Sequence, residues 1–246
     1  MFRWPNGTMH RLGDAANQAM NRSRGVVVFE YGKSTAATRL SRTLCLEVIM
    51  QPTESPFTND SGIKDLPHSL DGTFAWLNDL PVHDEWAIGD ERAAELPAQL
   101  DSAFASGGEN NVSLPPEFVT FIRTPEWHKR LRSAGGCYLD VAESLLPFAD
   151  GYLLRFLNDQ QGCAFWYIYT NGDGSDHCVV SSYEYFDADE MDYEIEDLKE
   201  SDFHVWASSF EGFMSRFWIE NELMFADLDG TPPPDVDSRF LELYAQ

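Results

Sequence analysis

Gly151-Tyr-Leu-Leu-Arg-Phe-Leu157, Cys163-Ala-Phe-Trp-Tyr-Ile-Tyr169 and Cys178-Val-Val-Ser-Ser-Tyr183 are three apolar runs separated by Asn158-Asp-Gln-Gln-Gly162 and by residues 170–177, which contain Asn171-Gly-Asp-Gly174. Aromatic and β-branched runs of this length, divided by Gly, Asn and Asp clusters, predict strands joined by hairpins. The reading is a three-stranded antiparallel meander. Its middle strand has almost no polar residue on either face, so both faces must be covered, one of them by helices.

The covering helix is expected directly afterwards. From Phe203 to Phe225 the large apolar residues recur at Phe203, Trp206, Phe210, Phe213, Met214, Phe217, Trp218, Leu223, Met224 and Phe225, a three-and-four spacing that gives a wide apolar stripe. Ser208 or Ser209 can cap its start, and Glu211 falls early, where a carboxylate complements the helix dipole.

The chain of 246 residues is 43% hydrophobic and 13% aromatic, enough to build a core and exclude wholesale disorder. No apolar run approaches the roughly 20 residues a membrane helix needs. Met1-Phe-Arg-Trp-Pro-Asn-Gly7 has no apolar stretch behind its first arginine, so no secretory leader is expected and a cytoplasmic location is inferred. Cys45, Cys137, Cys163 and Cys178 form no Cys-x-x-Cys pair and are read as buried, reduced thiols.

Charge is the most informative bulk property. Seventeen basic against 41 acidic residues give −24, and the imbalance lies beyond residue 50: residues 1–50 carry seven Lys/Arg and three Asp/Glu, the remainder ten and 38. Such a body repels nucleic acid and anionic lipid and speeds capture of a basic partner.

Before the meander, 25–31 and 44–50 read as strands and 51–70, rich in Pro, Ser, Asn and Asp, as a linker. Residues 1–70 are therefore an N-terminal extension or small β unit with one or two strands, and 71–246 the main domain. Gly32-Lys-Ser-Thr lacks the first glycine of a phosphate loop, since Val27 stands there. A helix is expected from about Asp84 to Phe104, kinked or divided at Pro97. Short helices follow at Leu114–Ile122 and Thr124–Leu131, then a strand or irregular segment over Cys137–Phe148. The fold class is α+β, a central twisted antiparallel sheet, with a mixed sheet as the variant, and helices on one face.

Two stretches carry a family resemblance. Leu114-Pro-Pro-Glu-Phe-Val-Thr-Phe-Ile122 is similar to the helix start, and Phe203-His-Val-Trp-Ala-Ser-Ser-Phe-Glu-Gly-Phe-Met-Ser-Arg-Phe-Trp-Ile-Glu-Asn221 to the closing helix, of the SUKH superfamily, the group of the yeast cell-wall-assembly regulator and many bacterial immunity proteins. The resemblance covers about residues 75–228 and implies protein binding rather than chemistry.

The segment that suits such a role lies between the meander and the closing helix. Ten acids stand there against the single Lys199, with tyrosines interleaved. Such runs are usually solvated loops, but rigid aromatic anchors within an acidic field also make a docking face. Its candidate contact residues are Tyr183, Glu184, Tyr185, Asp187, Asp189, Glu190, Asp192, Tyr193, Glu194, Glu196 and Asp197.

No catalytic, cofactor-binding or metal-ligating set is assigned. Asn171-Gly-Asp-Gly-Ser-Asp-His177 departs from a calcium loop at Asp176 and Ser182 and reads as a hairpin turn. The six histidines show no metalloenzyme spacing, and no serine sits in a nucleophile elbow. The expectation is thus a non-enzymatic, immunity-type protein without cofactor. It would neutralise a basic toxin, with a nuclease among the toxins such a face would suit. The alternatives are a regulatory scaffold for an endogenous protein, or a hydrolase working through an acid pair.

Overall fold

The computed structural model describes residues 65–89, 91–107, 112–171, 176–189 and 198–244. The chain divides into two units, Met1–Arg39 and Leu40–Gln246, and every described residue belongs to the second. The strands expected at 25–31 and 44–50 lie outside the described residues.

The meander forms as its alternation of apolar runs and turns dictates. Strands β3 (Gly151–Asn158), β4 (Phe165–Asn171) and β5 (His177–Ser182) pair antiparallel, with Leu154 opposite Ile168 and Ile168 opposite Val179. The turn between β4 and β5 is closed by Asn171 N donating to Asp176 O, and by Asp176 N donating to the Asn171 Oδ1. Two short strands, β1 (Tyr138–Leu139) and β2 (Leu146–Phe148), pair with opposite ends of β3. A sixth, β6 (His204–Ala207), pairs with β5. The described sheet runs β1-β3-β4-β5-β6 with β2 also on β3, antiparallel at every pairing. The fold is α+β with a central sheet, and the mixed variant is not adopted among these strands.

Five helices accompany the sheet among the described residues: α1 (Leu96–Ser106), α2 (Pro116–Ile122), α3 (Pro125–His128), α4 (Phe210–Asp229) and α5 (Ser238–Tyr244). Phe118 and Phe121 of α2 and Phe210, Phe213 and Met214 of α4 are buried with Leu154, Phe156, Trp166, Ile168 and Val179 of the sheet. Phe210 is the centre of this layer, its ring 4.9 Å from Phe118, 5.2 Å from Phe156 and 5.3 Å from Phe121. These edge-to-face arrangements match the quadrupoles of the rings. The other face of the sheet, Phe148, Leu153, Tyr167, Tyr169 and Val180, is covered by Phe186 and Phe203 from flanking segments, and no helix among the described residues joins that cluster.

Two expectations shift. Residues 203–207 lie outside the helix: Phe203 and Val205 join the outer layer and Trp206 the inner one, the alternation of a strand, and α4 begins only after Ser209, whose side chain accepts from Gly212 N. The helix expected over 84–104 is α1 alone, preceded by a 3-10 turn at Glu91–Ala94. Pro97 neither kinks nor divides it, because it sits in the first turn, where its missing N–H has no helical partner to lose. Residue 89 must be glycine for α3 to pack, since a Cβ there would lie 2.3 Å from that of His128.

Residues 65–70, read as the end of a linker, lie against this body. Leu66 packs on the main core, the His68 Nδ1 is 2.8 Å from Ser215 Oγ, and Tyr244 OH donates to Asp65 O. No helix among the described residues is long and apolar enough to cross a membrane.

Candidate docking loop

The loop 183–189 leaves the end of β5 and is held to the sheet by one buried cation. A register shift between Arg155 and Leu157 lets Phe156 and Leu157 both enter the main core, while Arg155 is left among polar groups beside the loop. Its side chain is 5% exposed. One terminal nitrogen donates to the Asp140 carboxylate (2.8 Å), Asp140 O and Asn158 Oδ1; the other donates to the Asp187 carboxylate (3.0 Å) and to Tyr185 OH (3.1 Å). Asn158 Nδ2 donates in turn to Asp140, and Tyr185 OH to Asp187. A buried cation is tolerable only with partners of this number and charge. Burial opposes the charge of Arg155, but the hydrogen bonds and charge of Asp140 outweigh it and hold its pKa above the ordinary value. Burial likewise pushes the Asp140 carboxyl up, and Arg155 overcomes that to hold it low.

What the loop shows to solvent follows from this anchor. Phe186 is buried against Phe203, and its N–H donates to Tyr167 OH at 2.8 Å. Tyr183 and Tyr185 flank it with exposed rings, Tyr183 beside His204 (5.5 Å) and Tyr185 edge-on to Phe165 (5.1 Å). Glu184 and Asp189 are exposed, the latter accepting from Ser144 Oγ. Asp187 corrects its place among the contact residues. At 8% exposure and paired with Arg155, it faces inward and supports the loop instead of meeting a partner. Glu190, Asp192, Tyr193, Glu194, Glu196 and Asp197 lie outside the described residues.

Arg155 and Asp140 were not singled out by sequence, although a signal existed: one arginine in an otherwise apolar strand run has to find carboxylates if the strand is central.

The other buried ionisable groups serve the fold. Glu211 accepts from Gly72 N, Phe74 N and Trp76 Nε1. Glu117 of α2 accepts from Phe210 N and Glu211 N at the start of α4 and lies 3.3 Å from His177 Nε2. Burial pushes Glu117 up, but His177 and the two amides together hold it below its ordinary value. With Ser209 on Gly212 N, the start of α4 has its amides occupied and offers no anion site. His68 stacks on Trp76 with ring centroids 4.2 Å apart, and burial lowers its pKa to about 4. Of the cysteines, Cys178 is mostly shielded and burial pushes its thiol up to about 12, whereas Cys163 is exposed in the β3–β4 turn, against the expectation of a buried thiol. A concavity between β6, α4 and α5 is walled by Leu66, Leu70, Trp206 and Tyr244, with no carboxylate or imidazole. Among the described residues, no three His, Cys, Asp or Glu converge as a metal site.

The arrangement is suited to contact: two exposed phenol rings and two exposed carboxylates on a loop pinned from beneath. No protein-family model, no curated protein and no solved structure matches the chain.

Proposed function

We propose that this is a non-enzymatic binding protein of SUKH type that captures a basic protein on the loop following β5. An immunity-type role, neutralising a basic toxin such as a nuclease, suits this reading best. The observation that carries it is the division of labour within residues 183–189: Arg155 holds the Asp187 carboxylate and the Tyr185 hydroxyl from below and Asp187 accepts from Asp189 N, leaving Tyr183, Glu184 and Asp189 outermost with part of the Tyr185 ring exposed beside them. A loop already ordered loses little freedom on binding. Tyrosines are frequent interface anchors, and the surrounding negative charge steers a cationic partner inward.

The test is capture from the native cell at low and high salt, comparing the wild type with a variant in which Asp189, Glu190, Asp192 and Glu194 are all changed to Lys. The wild type should retain a basic protein at low salt that the variant releases. Co-expression with that protein should show whether binding abolishes its toxicity. Equal retention by both baits would overturn the assignment of this loop.

A further inference from the structure

The two most exposed large apolar side chains among the described residues are Val82 (57%) and Trp86 (49%), and they share one turn, residues 79–86. Single exposed apolar side chains are ordinary; this pair is held in place. On the C-terminal side Ala87 bridges to Arg132, Ile88 N donates to Leu131 O and Ser133 N donates to Trp86 O. Within the turn, His83 N donates to Lys129 O, and the Arg130 guanidinium donates to the carbonyls of Asn78 and Leu80. The backbone of Trp86 is left-handed (φ 63°), a conformation unfavourable for a non-glycine residue. The indole thus stands out from a turn that its own backbone bonds prevent from collapsing.

The charge around it indicates the occupant. Asp79, Asp84 and Glu85 are exposed, and none is ion-paired among the described residues. In the facing segment 129–132 the exposed cation is Lys129, since Arg130 is engaged by carbonyls and Arg132 pairs with Glu222. We propose that the 79–86 turn is a second docking surface, for an arginine-bearing segment of a basic protein. The guanidinium would stack on the indole of Trp86 and pair with Asp84 or Glu85, with its aliphatic stem on Val82. A planar cation with an apolar stem satisfies both the ring face and the carboxylates, which neither an acidic nor a purely apolar partner does. This inference does not rest on the 183–189 loop and can stand or fall without it.

The experiment uses the full chain and two peptides, acetyl-Arg-Leu-Arg amide and its citrulline counterpart, which keeps the shape and removes the charge. The indole N–H resonance of Trp86 is assigned by its loss in Trp86→Phe and followed by NMR during titration. The arginine peptide should shift that resonance saturably and the citrulline peptide should not. Trp86→Ala should weaken binding by roughly two- to fivefold, as loss of an exposed cation–π contact implies, and Asp84→Asn with Glu85→Gln by a similar factor through the lost ion pairing, while Tyr183→Ala with Tyr185→Ala should leave it unchanged. No shift, or equal shifts from the two peptides, overturns the proposal. So does a shift that appears on concentrating the protein alone, which would assign the turn to a second copy of the chain.

Discussion

The Glu211 carboxylate, 1% exposed, takes three N–H groups from a segment more than 130 residues earlier in the chain: Gly72 N at 2.6 Å, Phe74 N at 2.9 Å and Trp76 Nε1 at 3.1 Å. It fixes Phe74 in a left-handed conformation (φ 55°) that places its ring against Phe121, Trp127 and Phe210. Glu211→Gln keeps the shape but turns an NH2 toward one of those donors, so it should destabilise by about 1–3 kcal/mol; an unchanged urea midpoint would show that the clasp contributes nothing. His128 gives a second residue-scale prediction. Its Nε2–H donates to Phe121 O, its Nδ1 is buried with no hydrogen-bond partner among the described residues, and burial lowers its pKa from 6.5 to about 4. The unfolded chain therefore binds the proton more readily than the folded one between those values. The stability involved is fully present above pH 6.5 and is lost as pH falls toward 4, on the order of 3 kcal/mol. His128→Gln can keep the donor and cannot titrate, so the fall in urea midpoint across that window should shrink; an equally steep fall would place the titration elsewhere. Neither role was legible in the sequence. Glu211 offered only its helical position, and His128 only its presence, because each takes its function from a partner that tertiary folding supplies.

At the scale of elements, β3 and the 183–189 loop are joined by Arg155 between Asp140 and Asp187. Replacing it by Met leaves two carboxylates facing a hydrocarbon. The expected loss is about 3 kcal/mol, at the lower end for a broken buried pair because Asp140 keeps some contact with water. Adding Asp140→Asn and Asp187→Asn removes the stranded charges and should recover much of that loss; a triple variant no more stable than Arg155→Met would show that packing, not charge, governs the site. The elements themselves were unequally legible. β3, β4 and β5 were readable because each apolar run ends in turn residues and each strand is nearly all buried. β6 was not, since Phe203, Trp206 and Phe210 sit three and four apart, as on one helix face, and only the Ser208-Ser209 pair marks where the helix begins. β1 and β2, at two and three residues, carry no period at all. The contact loop was legible as a composition, but which of its carboxylates turns inward depends on Arg155, a partner about 30 residues away.

For the whole molecule, a formal charge of −24 on 246 residues makes self-repulsion a standing cost of compactness. Among the described residues salt bridges that respond to salt offset little of it: Arg123 with Asp101 and Arg239 with Asp237 are largely exposed pairs, each worth at most about 1 kcal/mol, while the pairs of Arg132, Arg155 and Arg216 are shielded and respond weakly to added ions. Screening should therefore relieve more repulsion than attraction. Raising NaCl from about 20 mM to about 500 mM, which contracts the Debye length from roughly 20 Å to below 5 Å, should increase the melting temperature, each kcal/mol gained appearing as about 2–4 °C in a chain of this size. Scanning calorimetry at the two salt concentrations, with a neutral osmolyte as control for general exclusion effects, measures it directly. A melting temperature that falls with salt would mean that attractive pairs dominate the charge balance. The same screening should weaken capture of a basic partner, so stability and binding are expected to move in opposite directions along one salt series, a pattern that neither a loss of folding nor a purely apolar interface would produce.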